Sequence, residues 1–140
     1  KNKNFYKYDV LLTNNVNYHK AYELLDEDSQ KEIITFLENC NRSLSNTPFK
    51  FAYRLRNELL VYCYYNSLIE DKPDNWLTTC LDEIAFMKIL PRIEGDRIKT
   101  EECLINLEKE FIKKGFSIST KKILEMKKKL EIMEFTSFWN

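Results

Sequence analysis

The sequence predicts a mainly α-helical fold: a bundle of about five helices with one short N-terminal strand. Three observations carry that expectation. From about residue 29 onward, apolar side chains recur at the three- and four-residue spacing of a helix face. Glycine is scarce, with Gly95 and Gly115 the only two in 140 residues, against a usual share of about 7%. The longest unbroken apolar run covers residues 59–65, whereas a membrane span needs about 20 mostly apolar residues.

Taken in order, the least regular stretch comes first, with a strand predicted over 8–13 and a short helix over 18–25, ahead of the acidic run Asp26-Glu27-Asp28. Ser29-Gln30-Lys31-Glu32 reads as a capping box opening a helix over 30–44, whose broad apolar face holds Ile33, Ile34, Phe36, Leu37, Cys40 and Leu44. Ser45-Asn46-Thr47-Pro48 breaks it, because proline disfavours helix in the residue before it and opens the next one well. A second helix is expected to start between residues 49 and 52 and run to 69, its far half so aromatic that most of its faces must be covered. Asp74 is the predicted N-cap of a third, which Pro91 stops near residue 90. Residues 92–97 read as a turn-bearing connection. Thr100-Glu101-Glu102 caps a fourth helix ending in Lys113-Lys114-Gly115, and Ser119 or Thr120 caps a fifth with the stripe Ile123, Met126, Leu130 and Met133. The tail Phe135-Thr136-Ser137-Phe138-Trp139-Asn140 is too aromatic to be left in water.

Composition removes several classes of function. Phosphate-cradling loops need several glycines for close backbone approach, so neither a P-loop nor a dinucleotide fingerprint can be written here. With 22 basic and 22 acidic side chains the net charge is zero, so any nucleic-acid footprint is regional. Cys40, Cys63, Cys80 and Cys103 lie 23, 17 and 23 residues apart without a close pair, which fits buried thiols rather than a zinc site. No metal site is expected. No positively charged lead into an apolar run opens the chain, so a cytoplasmic protein without a signal peptide or membrane segment is expected. A start at Lys1 without Met suggests a fragment or a processed chain.

No catalytic constellation is visible. Arg54 and Arg56 sit near the start of the second helix, where a guanidinium can pair bidentately with phosphate; the plainer alternative is an Arg54 to Glu58 surface pair at i,i+4. Asp82 and Glu83 are adjacent on a helix and point in different directions, which makes them poor acid–base partners. Lys113, Lys114, Lys121, Lys122, Lys127, Lys128 and Lys129 face one acid, Glu125, over residues 113–129, a local charge of +6. That candidate basic patch could meet DNA phosphates or form a solvated helix face, and Phe116 alone within it gives no base-stacking platform. His19, the sole histidine, has no ligand or nucleophile pattern around it.

Four ordered blocks are more specific together than singly: Phe51-Ala52-Tyr53-Arg54-Leu55-Arg56-Asn57-Glu58, Leu81-Asp82-Glu83, Lys88-Ile89-Leu90-Pro91-Arg92-Ile93-Glu94-Gly95-Asp96 and Phe135-Thr136-Ser137-Phe138-Trp139. Over about residues 30–140 the chain thereby resembles the C-terminal portion of McrB-type AAA+ NTPases, the motor subunits of modification-dependent restriction systems.

The resemblance implies an AAA+ lid-like helical domain over 29–140, with 1–28 the connection from an upstream α/β core and Asn140 at or near the natural C-terminus. It implies that Arg54, or else Arg56, is the sensor-2 arginine that touches the terminal phosphates of GTP or ATP held with magnesium by that core. Asp82, Lys88 and Arg92 would support lid packing or contact the next subunit of a hexameric ring. The partners it implies are a McrC-type nuclease and, through the full complex, DNA. Two alternatives stand beside it: a helical protein-interaction module without catalytic activity, and a DNA-binding surface over 113–129.

Overall fold

The computed structural model describes residues 16–139, and these form a mainly helical bundle, as predicted, to which a small two-stranded sheet is added. The strand expected over 8–13 lies outside the described residues. Helix α1 (Tyr18–Leu24) is the short helix anticipated before the acidic run, and it packs on α3 (Tyr53–Ser67).

Helix α2 (Glu27–Ser43) starts a turn earlier than expected. Its N-cap is Asp26, not Ser29: the Asp26 carboxylate accepts from the Ser29 backbone N–H at 2.7 Å. An ionised oxygen also meets the positive end of the helix dipole, which a hydroxyl cannot do as well. The acidic run is thus the cap and first turn of a helix, and the change from residue 28 to 29 falls inside α2. Between α2 and α3, Asn41 grips the chain from both sides. Its amide donates to the Phe51 carbonyl and its side-chain oxygen accepts from the Phe51 N–H, each at 3.2 Å.

In α3, Leu59, Leu60, Val61, Tyr62, Cys63, Tyr65 and Asn66 are all buried, so its far half is covered nearly all round, as its aromatic content required. Helix α4 (Trp76–Ile84) follows with Asn75 rather than Asp74 at the N-cap position. The rod does not end as a plain α-helix before Pro91. It widens into a π-helical segment, Ala85–Ile89, where the Leu90 N–H reaches back to the Ala85 carbonyl, and then tightens into a 3-10 turn, Leu90–Arg92. Proline lacks an N–H and clashes with the preceding turn, so the ladder must change pitch there.

The stretch read as a connection is a strand. β1 (Glu94–Asp96) pairs antiparallel with β2 (Phe135–Ser137) in the tail, with Gly95 opposite Thr136. Asp96 then caps α5 (Arg97–Lys114) through the Lys99 N–H at 3.0 Å, one turn before the expected Thr100. Thr100 is buried inside the helix and donates its hydroxyl to the Asp96 carbonyl at 2.8 Å.

The predicted glycine stop is present in full. Gly115 is left-handed at φ 74°, its N–H bonds to Ile112, and the Phe116 N–H bonds to Phe111 at 2.9 Å. The Phe111 and Phe116 rings pack with centroids 5.5 Å apart, the apolar contact that accompanies this kind of helix end.

Helix α6 (Ser117–Met133) begins ahead of both predicted caps. Phe116 occupies the N-cap position and has no acceptor to offer. Asp82 of α4 supplies one from across the fold, as described below.

The α5–α6 hairpin packs on α2 and α4, and Phe36, Phe111 and Phe116 meet where they converge. In the tail the buried residue is Thr136, whose hydroxyl donates to the Met126 carbonyl at 2.8 Å. The aromatics are only partly covered: Phe135 is 49% and Trp139 61% exposed, and Phe138 lies edge-on to Phe86. All four cysteines are free and buried; burial raises the Cys40 and Cys63 thiols well above the usual thiol range and pushes Cys103 up to about 11. Buried away from water, all four act as small apolar residues.

Where α6 ends, Glu134 adopts a left-handed backbone (φ 58°) and its carboxylate receives two hydrogen bonds from Arg97. That guanidinium holds the Glu134 carboxyl below its ordinary value, while Glu134 and Glu101 hold Arg97 firmly protonated. A lowered carboxyl pKa contributes stability above the unfolded value of about 4.3 and loses it as pH falls through the folded value. Accordingly, Glu134→Gln should melt slightly below the wild type near neutrality. The gap between the two melting curves, followed by circular dichroism, should close as the buffer is taken from about pH 6 towards pH 3.

Candidate functional site

Arg54 lies in the first turn of α3, reached through an extended lead in which Phe49 and Phe51 are buried. The N-cap residue, Ala52, has no side-chain acceptor, so the first N–H groups of a 15-residue helix lack a side-chain cap. Positive charge gathers around that end. The Arg54 side chain is 93% exposed, and its Nε sits 3.5 Å from Glu58 Oε2, the i,i+4 pair weighed as the plainer alternative. Lys88, in the π-helical segment, approaches the other oxygen of the same carboxylate at 3.8 Å.

Arg92 closes the far side. Its Nε donates to the Lys88 carbonyl at 3.1 Å and its Nη1 to the Lys50 carbonyl at 3.3 Å, with the guanidinium 6.0 Å from the centre of the Phe51 ring. It is therefore a strut between the 3-10 turn and the lead into α3. Arg54, over thirty residues earlier in the chain, thus shares one face with Lys88 and Arg92. Glu58, which joins two of them, was missed as a site residue because its sequence context gives only a helix-surface acid.

Arg56 has a different setting. Its guanidinium lies 5.2 Å from the Tyr18 ring centre and 4.8 Å from that of Tyr53, and it donates to the Asn57 side chain. It separates two open cavities of about 480 and 580 Å³, one lined by α1 residues such as Tyr18 and Tyr22, the other by Asn41, Lys50 and Phe51. His19 lines the first of these cavities.

Asp82 is only 4% exposed, and it does not share the exposed face of Lys88 and Arg92. Its carboxylate oxygens accept from the Ile118 N–H at 3.0 Å and the Ser119 N–H at 2.8 Å, and its own carbonyl accepts from the Ser119 hydroxyl at 2.9 Å. Glu83 beside it is also buried and accepts from the Tyr62 hydroxyl at 2.6 Å; burial first, and that bond second, raise the phenol well above its normal range. Asp82 and Glu83 turn to different helices, as their adjacency required.

The seven lysines of the basic stretch are divided. Lys127 pairs with Glu108, Lys122 pairs with Glu125 and lies 4.6 Å from the Phe138 ring centre, and Lys129 donates to the carbonyls of Ser137 and Trp139. These three fasten α6 to its neighbours. Lys113, Lys121 and Lys128 are exposed and Lys114 half-buried. Among the described residues, no cluster of three or more His, Cys, Asp or Glu side chains could hold a metal ion.

The described residues form a helical bundle closed by a tail strand, with a cationic face at the start of α3. The chain belongs to the family described as a domain of unknown function (DUF8727), which matches residues 7–135. No curated protein and no solved structure matches it. No helix among the described residues is long and apolar enough to cross a membrane.

Proposed function

We propose that this domain is the C-terminal lid of a cytoplasmic McrB-like AAA+ NTPase, with Arg54 as the sensor that reaches the terminal phosphates of a nucleotide held by an upstream core. The observation that carries this reading is the disposition of Arg54 itself, in the first turn of a helix without a side-chain cap and almost fully exposed. A guanidinium there stays charged at all working pH and can fork onto phosphate oxygens alongside the positive end of the helix. Arg56 is the weaker candidate, since two tyrosine rings and Asn57 already engage it.

These residues suit one end of a nucleotide, whereas magnesium and the remaining phosphates would be held by the core. GTP or ATP would supply the phosphoanhydride. This chain would supply charge at its end, and Lys88 and Arg92, both exposed, would face the next subunit of a hexameric ring. Hydrolysis in that ring would drive a McrC-type nuclease against foreign or modified DNA.

The test is Arg54→Ala in the full-length protein, with Arg56→Ala beside it. Loss of a charge-assisted phosphate contact worth about 1.5–3 kcal/mol should slow hydrolysis on the order of 10- to 150-fold without changing the melting temperature. Unchanged turnover in both variants removes the sensor role.

A second reading, a helical protein-interaction module, draws on the exposed apolar side chains of Ile132, Met133, Phe135 and Trp139 at one end of the bundle. It expects the isolated 140 residues to bind a protein partner. A chain that sediments as an inert monomer and retains no partner in pull-downs counts against it.

A further inference from the structure

Glu58 touches both cations of the α3 entrance, with Arg54 at 3.5 Å from one carboxylate oxygen and Lys88 at 3.8 Å from the other. The three side chains differ in exposure: Glu58 is 26% exposed, Lys88 43% and Arg54 93%, so the carboxylate is the member most enclosed by the fold and Arg54 the one most open to solvent.

Two further contacts steady the frame. Arg92 holds the Lys88 carbonyl, and the π-helical pitch of Ala85–Ile89 sets where Lys88 emerges. An exposed ion pair of this kind is weak and readily exchanged for a better anion. A phosphate offers Arg54 two oxygens and more charge than one edge of a carboxylate. It would also be repelled by Glu58 at close range.

Resting on the lid reading, we infer that Glu58 is an autoinhibitory positioning residue: it parks Arg54 between nucleotide-binding events, competes with the terminal phosphate for that guanidinium, and shares its charge with Lys88 so that the hold stays weak. Nucleotide arrival then exchanges one anion for another on Arg54, while Lys88 keeps Glu58 neutralised in place.

The experiment measures KM for Mg·GTP and Mg·ATP in the full-length protein and in Glu58→Gln, Lys88→Ala, Arg54→Ala and Arg54→Ala/Glu58→Gln variants, with melting temperatures to confirm folding. Glu58→Gln is expected to lower KM about three- to tenfold, because it frees Arg54 and removes a repelling charge. Lys88→Ala, which leaves the carboxylate wholly to Arg54, is expected to raise KM. In the Arg54→Ala background Glu58→Gln should lower KM by clearly less than in the wild type, since only the lost repulsion remains and there is no arginine to compete for. A tighter KM is a gain that a merely structural role for Glu58 would not produce.

If Arg54→Ala slows turnover but Glu58→Gln keeps the wild-type KM or raises it, this inference is overturned while the lid reading stands. If Arg54→Ala changes nothing, Arg54 is not the sensor, and the inference falls with it whether or not Arg56 takes that role.

Discussion

Phe116→Ala is expected to destabilise the domain by about 4 kcal/mol, read as a shift of the urea midpoint at unchanged slope. Its ring is 1% exposed and contacts two others, Phe36 at 5.7 Å and Phe111 at 5.5 Å between centroids. Those partners belong to α2 and α5, and Phe116 itself sits where α5 ends and α6 begins. Removing the ring therefore leaves a cavity at the junction of three helices, and neither Phe36 nor Phe111 can move in without leaving its own helix face. A domain of this size has a total stability of about 5–15 kcal/mol, so the variant should be near its folding limit at body temperature. Phe116→Leu, which keeps most of the volume, should cost less than half as much. Equal losses for the two would mean that the ring's volume is not what holds the junction.

Asp82→Ala is the second large effect, at about 3 kcal/mol, and its cause is different. The carboxylate satisfies the Ile118 and Ser119 N–H groups, which have no other acceptor at the start of α6 because Phe116 stands in the capping position. Alanine strands both donors in a buried setting, and each charge-assisted bond of this type is worth about 1.5–3 kcal/mol before relaxation. Asp82→Asn keeps one accepting oxygen and should lose roughly half as much. Hydrogen exchange distinguishes this from general loosening: the Ile118 and Ser119 amides should lose protection ahead of those in the middle of α6. Uniform acceleration along the helix would mean that Asp82 acts through packing instead.

These two residues also show what the sequence could and could not disclose. The Gly115 stop was legible because its signal is local, a glycine after a basic turn, whereas the packing of Phe116 on Phe36 depends on tertiary approach. The cap of α6 was not legible, since its acceptor lies 36 residues away on another helix, and a scan for caps looks only at the preceding residues. β1 and β2 were hidden for the same reason: three residues are too few to show alternation, and the two strands stand at opposite ends of a helical hairpin. Two helix starts lie a turn earlier than expected. Asp26 and Asp96 cap α2 and α5 a turn before the hydroxyl residues favoured from sequence, because a carboxylate satisfies the N–H groups and the dipole together.

For the site, the sequence singled out Arg54, Lys88 and Arg92, and the fold gathers them on one face. Glu58 and the strut role of Arg92 depend on tertiary approach and had no sequence signal beyond the i,i+4 spacing of Arg54 and Glu58. Within the basic stretch, three lysines hold α6 and the tail, contacts that a charge count along the chain does not reveal.

The β1–β2 ladder has a mechanical consequence. Ser137 is paired with Glu94, and only the buried Ile93 separates Glu94 from Arg92, whose guanidinium braces the lead into α3. Phe138 and Phe86 form a parallel link from the tail into the π-helical segment that carries Lys88. Tension applied at the C-terminus is thus delivered along two short, stiff linkages to the arginine-bearing helix start. Ser137 and Phe138 are tied to the entrance of α3 through β1 and the π-helical segment.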